Sequence, residues 1–128
     1  MILFNLAKQK IYHKDVYWPD YVVKSLPVGS FRVTYSLHAL NEANADKYGI
    51  IQEINRLDLK GECFIEAYFE DNRPIKFLYR HNLDNEVDNC LVLKIENGEI
   101  LTITQWLNKS NDKHESLNKG KYQNGTTK

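Results

Sequence analysis

Four histidines, His13, His38, His81 and His114, are the side chains of this sequence that change charge nearest neutral pH. His38 has the most suggestive neighbours. It stands two residues after Ser36, a good N-cap type, at the start of an apolar repeat through Leu37, Leu40, Ala43 or Asn44, and Tyr48. The first turn of a helix favours anions and the neutral form of an imidazole. A neutral His38 beside a bound anion is therefore a candidate general base toward a substrate hydroxyl. The alternative is a packed histidine that donates one hydrogen bond.

Lys76 and Arg80 form a second constellation. On a strand they share a face, roughly 13 Å apart by strand rise, and would suit a phosphodiester and its neighbour. Glu66, Tyr68 and Glu70 across a turn offer the other reading, cross-strand ion pairing. Trp106 and Tyr68 are candidates to stack a base. Asp112-x-His114 can be a carboxylate orienting an imidazole, with His114 as a catalytic partner of His38. It can also be half of a metal site, but the three or four ligands such a site needs are not grouped here, so no metal is expected. The sequence contains no Walker loop, nucleophile elbow, dinucleotide glycine pattern or HExxH. ATPase, elbow-hydrolase and dehydrogenase chemistry are poor fits, and no cofactor is expected.

The elements that must position these groups come from period and turn chemistry. Pro19 can open a short helix through Lys24, closed at Leu26-Pro27. Arg32–Tyr35 is a short β-prone run. A helix follows Ser36, with Gly49 as its C′ glycine. A second helix is expected over about 50–58, with Ile50, Ile54 and Leu57 on one stripe and Ile51 beside it. From Glu62 the period becomes two, and 62–70, 74–81, 89–96 and 99–107 read as strands. Asn97-Gly98 signals a two-residue type I′ hairpin. It sets Glu96 opposite Glu99, Ile95 opposite Ile100, Leu93 opposite Thr102 and Leu91 opposite Thr104, with Val92–Ile103 and Lys94–Leu101 on the other face. Both faces of the meander are largely apolar, so neither is expected to lie bare in water. The expected fold is α+β: two short helices followed by a four-stranded antiparallel meander over residues 31–107. Residues 1–30 form a lead-in and 108–128 a polar, locally basic tail.

Composition bounds the function. The 128 residues suit one domain. Seventeen Lys+Arg balance seventeen Asp+Glu, which argues against coating nucleic acid by bulk charge but leaves room for a local basic patch. Lys109 and Lys113 in the tail could supply one. No apolar run reaches the roughly 18–20 residues of a membrane span, and Met1–Ala7 lacks the features of a signal peptide. Cys63 and Cys90 read as small hydrophobes in a reduced compartment, and a cytoplasmic location is expected.

The run Val33-Thr-Tyr-Ser-Leu-His38-Ala-Leu-Asn-Glu-Ala, with the closing Ile100-Leu-Thr-Ile-Thr104, resembles the small RelE, RegB and BrnT ribonuclease and toxin group. The chain has Glu42 where that group often carries arginine four residues after the histidine. It has no histidine between Ile50 and Leu59 to match the second one of the RegB type. The resemblance implies a RelE-like fold and a metal-independent endoribonuclease or RNA-binding protein of phage type, with His38 implicated in cleavage. Its partners would be RNA or an antitoxin. The competing expectation is a non-enzymatic phage-type protein that binds and modulates a host protein.

Overall fold

The computed structural model describes residues 8–44, 46, 48–84 and 86–111. Among them the chain builds a seven-stranded sheet with two short helices. The strands are β1 (Gln9–His13), β2 (Gly29–Tyr35), β3 (Arg56–Leu59), β4 (Phe64–Glu70), β5 (Arg73–Asn82), β6 (Val87–Glu96) and β7 (Glu99–Lys109). The helices are α1 (Asp20–Ser25) and α2 (Leu37–Ala43). The sheet order is β1-β4-β5-β6-β7-β2-β3, antiparallel throughout except for the parallel β2–β7 pair.

This corrects the expected fold class of two helices followed by a four-stranded antiparallel meander. The four meander strands are present as β4–β7, but they are the middle of a larger mixed sheet. The lead-in supplies an edge strand, β1, and α1. The helix expected over 50–58 is instead an extended segment ending in β3, whose Arg-Leu-Asp-Leu alternation pairs with β2. Its apolar stripe is not one face: Ile50 is exposed whereas Ile54 and Leu57 pack against the core. The helix after Ser36 ends at Ala43, short of Tyr48, with the Asn44 amide bonded back to Asn41 and Glu42.

Turn chemistry explains the meander. Asn97 and Gly98 both have positive φ, at 55° and 77°, the signature of a type I′ turn. Asp71 and Asn72, at 51° and 66°, make a second such turn between β4 and β5. The first sets Glu96↔Glu99, Ile95↔Ile100, Leu93↔Thr102 and Lys94↔Leu101. A bulge at Ile103 then shifts the register by one, giving Val92↔Thr104 and Leu91↔Gln105.

Each face carries a buried cluster. On one, Val22 of α1 and Leu26 just after it pack over Ala67, Phe77, Tyr79, Leu91, Leu93 and Ile100. On the other, Ile65, Leu78, Cys90 and Val92 pack with Ile103 and Trp106. Cys63 and Cys90 are not joined in a disulfide. No helix among the described residues is long and apolar enough to cross a membrane.

Candidate functional site

The site grows from the place where β2 stops. β2 pairs with β7 only over Val33–Tyr35, opposite Ile100–Thr102, and beyond Tyr35 the outer edge of β7 would expose its amides and carbonyls. The chain turns there at Ser36. Its backbone amide donates to the Thr102 carbonyl at 2.9 Å and its hydroxyl to the Ile103 carbonyl at 2.8 Å. The same hydroxyl caps α2 by accepting the Ala39 amide at 3.0 Å. α2 then runs along the edge of β7 and satisfies it with side chains. Glu42 Oε1 accepts the Gln105 amide at 2.9 Å and the Thr104 hydroxyl. Asp46 Oδ1 accepts the Leu107 amide at 3.0 Å, and buried Gln105 returns a bond to the Ala39 carbonyl at 2.9 Å.

Glu42 thereby holds His38. Its second oxygen, Oε2, lies 3.3 Å from His38 Nε2, one helical turn away. The imidazole is 68% exposed and the carboxylate 23%. The anchored carboxylate therefore stands at ion-pair distance from one nitrogen of an exposed imidazole.

The other residues singled out in the sequence lie elsewhere. Lys76 and Arg80 do share one face of β5, as strand geometry requires, but their surroundings differ. Lys76 Nζ sits 5.0 Å from the Tyr68 ring centroid, and Tyr68 donates its hydroxyl to Glu70 at 2.7 Å. That bond holds the Tyr68 proton on, raising the phenol above its ordinary range. Arg80 is built into the scaffold. Its guanidinium, 9% exposed, donates to Asp88 at 2.7 Å and to the Lys109 carbonyl at 2.8 Å. Burial alone would raise the Asp88 carboxyl. Hydrogen bonds from Asn82, Arg80 and Ser110, with the charge of Arg80, more than offset that and hold it below its ordinary value. Trp106 packs against the Cys90 cluster and is partly buried. Lys109 is exposed at the end of β7. Lys113 and His114 lie outside the described residues.

His38 is separated from β5 by the width of β6 and β7, roughly 10 Å of sheet. The described contacts of His38, Lys76 and Arg80 therefore form three separate sets rather than one cleft. Among the described residues no group of three His, Cys, Asp or Glu side chains is placed to hold a metal ion.

Sequence reasoning missed two features. One is Glu42, whose part depends on the exposed edge of β7. The other is a cleft on β2–β3 lined by Arg32, Val33, Thr34, Asn55 and Arg56. The signal for it was the Arg56-Leu-Asp-Leu59 alternation, obscured by a competing helical stripe. No protein-family model, no curated protein and no solved structure matches this chain.

Proposed function

We propose that this protein is a metal-independent endoribonuclease with His38 as its general base. The observation that supports the reading is the anchored Glu42: a carboxylate tied to β7 lies 3.3 Å from Nε2 of an exposed imidazole. In such a reaction Nδ1 of His38 removes the proton of a ribose 2′-hydroxyl. The oxygen then attacks the adjacent phosphorus, and the 5′-oxygen leaves with a proton from a general acid. The products are a 2′,3′-cyclic phosphate and a 5′-hydroxyl end. The Tyr35-Ser36-Leu37-His38 motif supports the same reading. Arg80, tied to Asp88, has no phosphate role in it.

The test is cleavage of a panel of single-stranded and hairpin RNAs, scored for cyclic-phosphate ends. Wild type should cut in the presence of a chelator. His38→Ala should lower the rate by roughly 10²–10⁴-fold with the fold intact. Glu42→Gln should lower it less and alter its pH profile. A wild-type protein that cuts none of the panel overturns the reading. One observation favours the non-enzymatic alternative, binding to a host protein: the large apolar side chains Val16, Tyr17, Tyr21 and Val23, on and just before α1, are each exposed.

A further inference from the structure

Arg32 and Arg56 stand directly opposite one another on β2 and β3. Directly opposed residues share a sheet face, and like charges in that position repel. Among the described residues Glu99 is the carboxylate within ion-pair distance of the pair, and Asp58 follows Arg56 on the same face of β3. Arg32 Nε is 3.7 Å from Glu99 Oε2, a loose pair in which the side chains are 68% and 41% exposed. Among the described residues Arg56 reaches Ser30, its Nε 3.4 Å from the hydroxyl and its Nη2 3.4 Å from the carbonyl. Both arginines line a cleft of about 450 Å³ whose remaining walls are Val33, Thr34 and Asn55. Thr34 gives its hydroxyl proton to the Ile100 carbonyl at 2.8 Å, while the Asn55 backbone carbonyl accepts the Val33 amide at 2.8 Å. The backbone bonds of the wall are thus made, and the donors over the cleft include the two guanidinium forks and the Asn55 side-chain amide.

We propose that this cleft binds a phosphomonoester dianion between Arg32 and Arg56. The charge count selects the ligand. Two guanidiniums side by side carry two positive charges, and a phosphomonoester supplies about −1.5 to −2 on three terminal oxygens. A carboxylate neutralises only one of the pair. Each guanidinium fork can take two phosphate oxygens, a geometry a lysine does not reproduce. The ligand converts a repulsive cross-strand pair into a bridged one. The site stands apart from the cleavage reading: it lies on β2–β3 and requires no reaction.

The experiment is a titration of the labelled full chain, tracking the arginine Nε–H and backbone amide resonances, with inorganic phosphate, phenyl phosphate and acetate. Phosphate and phenyl phosphate should give saturable shifts at Arg32, Arg56 and Asn55, and acetate should bind at least tenfold more weakly. Arg32→Gln and Arg56→Gln should each weaken phosphate binding roughly tenfold, and Arg56→Lys should fall between. Because either glutamine removes a like-charge opposition, both variants should melt no lower than wild type, which separates lost binding from lost folding. Two RNA oligonucleotides, one with a 5′-phosphate and one with a 5′-hydroxyl, identify the source. Tighter binding of the first assigns the site to nucleic-acid ends, and equal binding assigns it to free phosphate or small phosphate esters. No saturable phosphate shift, or acetate binding as well as phosphate, overturns the proposal. Neither result depends on whether the protein cuts RNA.

Discussion

Glu42 does for Gln105 what a neighbouring strand would have done. Its carboxylate accepts the Gln105 amide at 2.9 Å on the edge that β2 leaves uncovered, while its other oxygen faces His38 at 3.3 Å. One side chain closes a sheet edge and orients an imidazole, so the same substitution should be visible in stability and in chemistry.

Glu42→Ala should destabilise the protein by about 1–3 kcal/mol, the usual cost of leaving a partly buried amide without its acceptor. Amide exchange at Gln105 should speed up more than at the interior strand β6. Glu42→Gln keeps an acceptor for that amide and should recover most of the loss. Denaturant unfolding together with hydrogen exchange checks both.

The Arg80–Asp88 pair should behave as a structural tie. Both side chains are nearly buried, and Asn82 and Ser110 also bond the same carboxylate, each at 2.8 Å. Removing one partner strands the other, so Asp88→Ala or Arg80→Met should cost about 3–5 kcal/mol, and a double-mutant cycle should show strong coupling. If Arg80→Met left the melting temperature unchanged, Arg80 would be freed for a ligand role.

His81 should make the fold sensitive to mild acid. Burial disfavours its charged form and lowers its pKa below 6.5, partly opposed by the nearby Asp88 carboxylate, and its Nε2 is buried with no hydrogen-bond partner among the described residues. The unfolded chain therefore binds more protons than the folded one as pH drops through and below 6.5, and stability falls with pH in that window. Asp88, also depressed, adds a second loss below about pH 3.8, its ordinary value. Urea unfolding from pH 7.5 to 5 should show the first decline, and His81→Phe should flatten it.

Gly98 has φ +77°, and a Cβ there would touch nothing within 4 Å. Gly98→Ala should thus cost about 1 kcal/mol through backbone conformation alone, with Gly98→Asn costing less. Equal melting temperatures for wild type and Gly98→Ala would contradict the type I′ assignment.

The meander was legible because three signals agreed: the period of two, the β-branched content and Asn97-Gly98. Its register was read correctly from Glu96–Glu99 as far as Leu93–Thr102. It was lost at the Ile103 bulge, which no residue type announces. The Ser36 cap was legible for the same reason, being local. β1 was not, since Gln9-Lys10-Ile11-Tyr12-His13 shows little apolar alternation and buries only Tyr12 well. In β3 a four-residue alternation lost to the helix-like spacing of Ile50, Ile54 and Leu57. Without β3, Arg56 had no partner strand, so its opposition to Arg32 was invisible. Arg80 was recognised as a cation but not as a buried one, because its burial depends on Asp88 on the neighbouring strand and on the backbone after β7.

The sheet order carries a consequence for assembly. Both outer strands, β1 and β3, come from the part of the chain before residue 60, whereas β4–β7 are built from Phe64–Lys109. The hairpins of β4–β7 close short loops. The β1–β4 and β2–β7 pairings close loops of more than fifty residues and should be the slower steps. During synthesis the outer strands leave the ribosome before the strands they dock on exist. Until docking, β4 and β7 are open to pairing with other chains. The polar residues that hid β1 and β3 from pattern reading, Gln9, Lys10, Arg56 and Asp58 among them, keep those segments soluble while they wait.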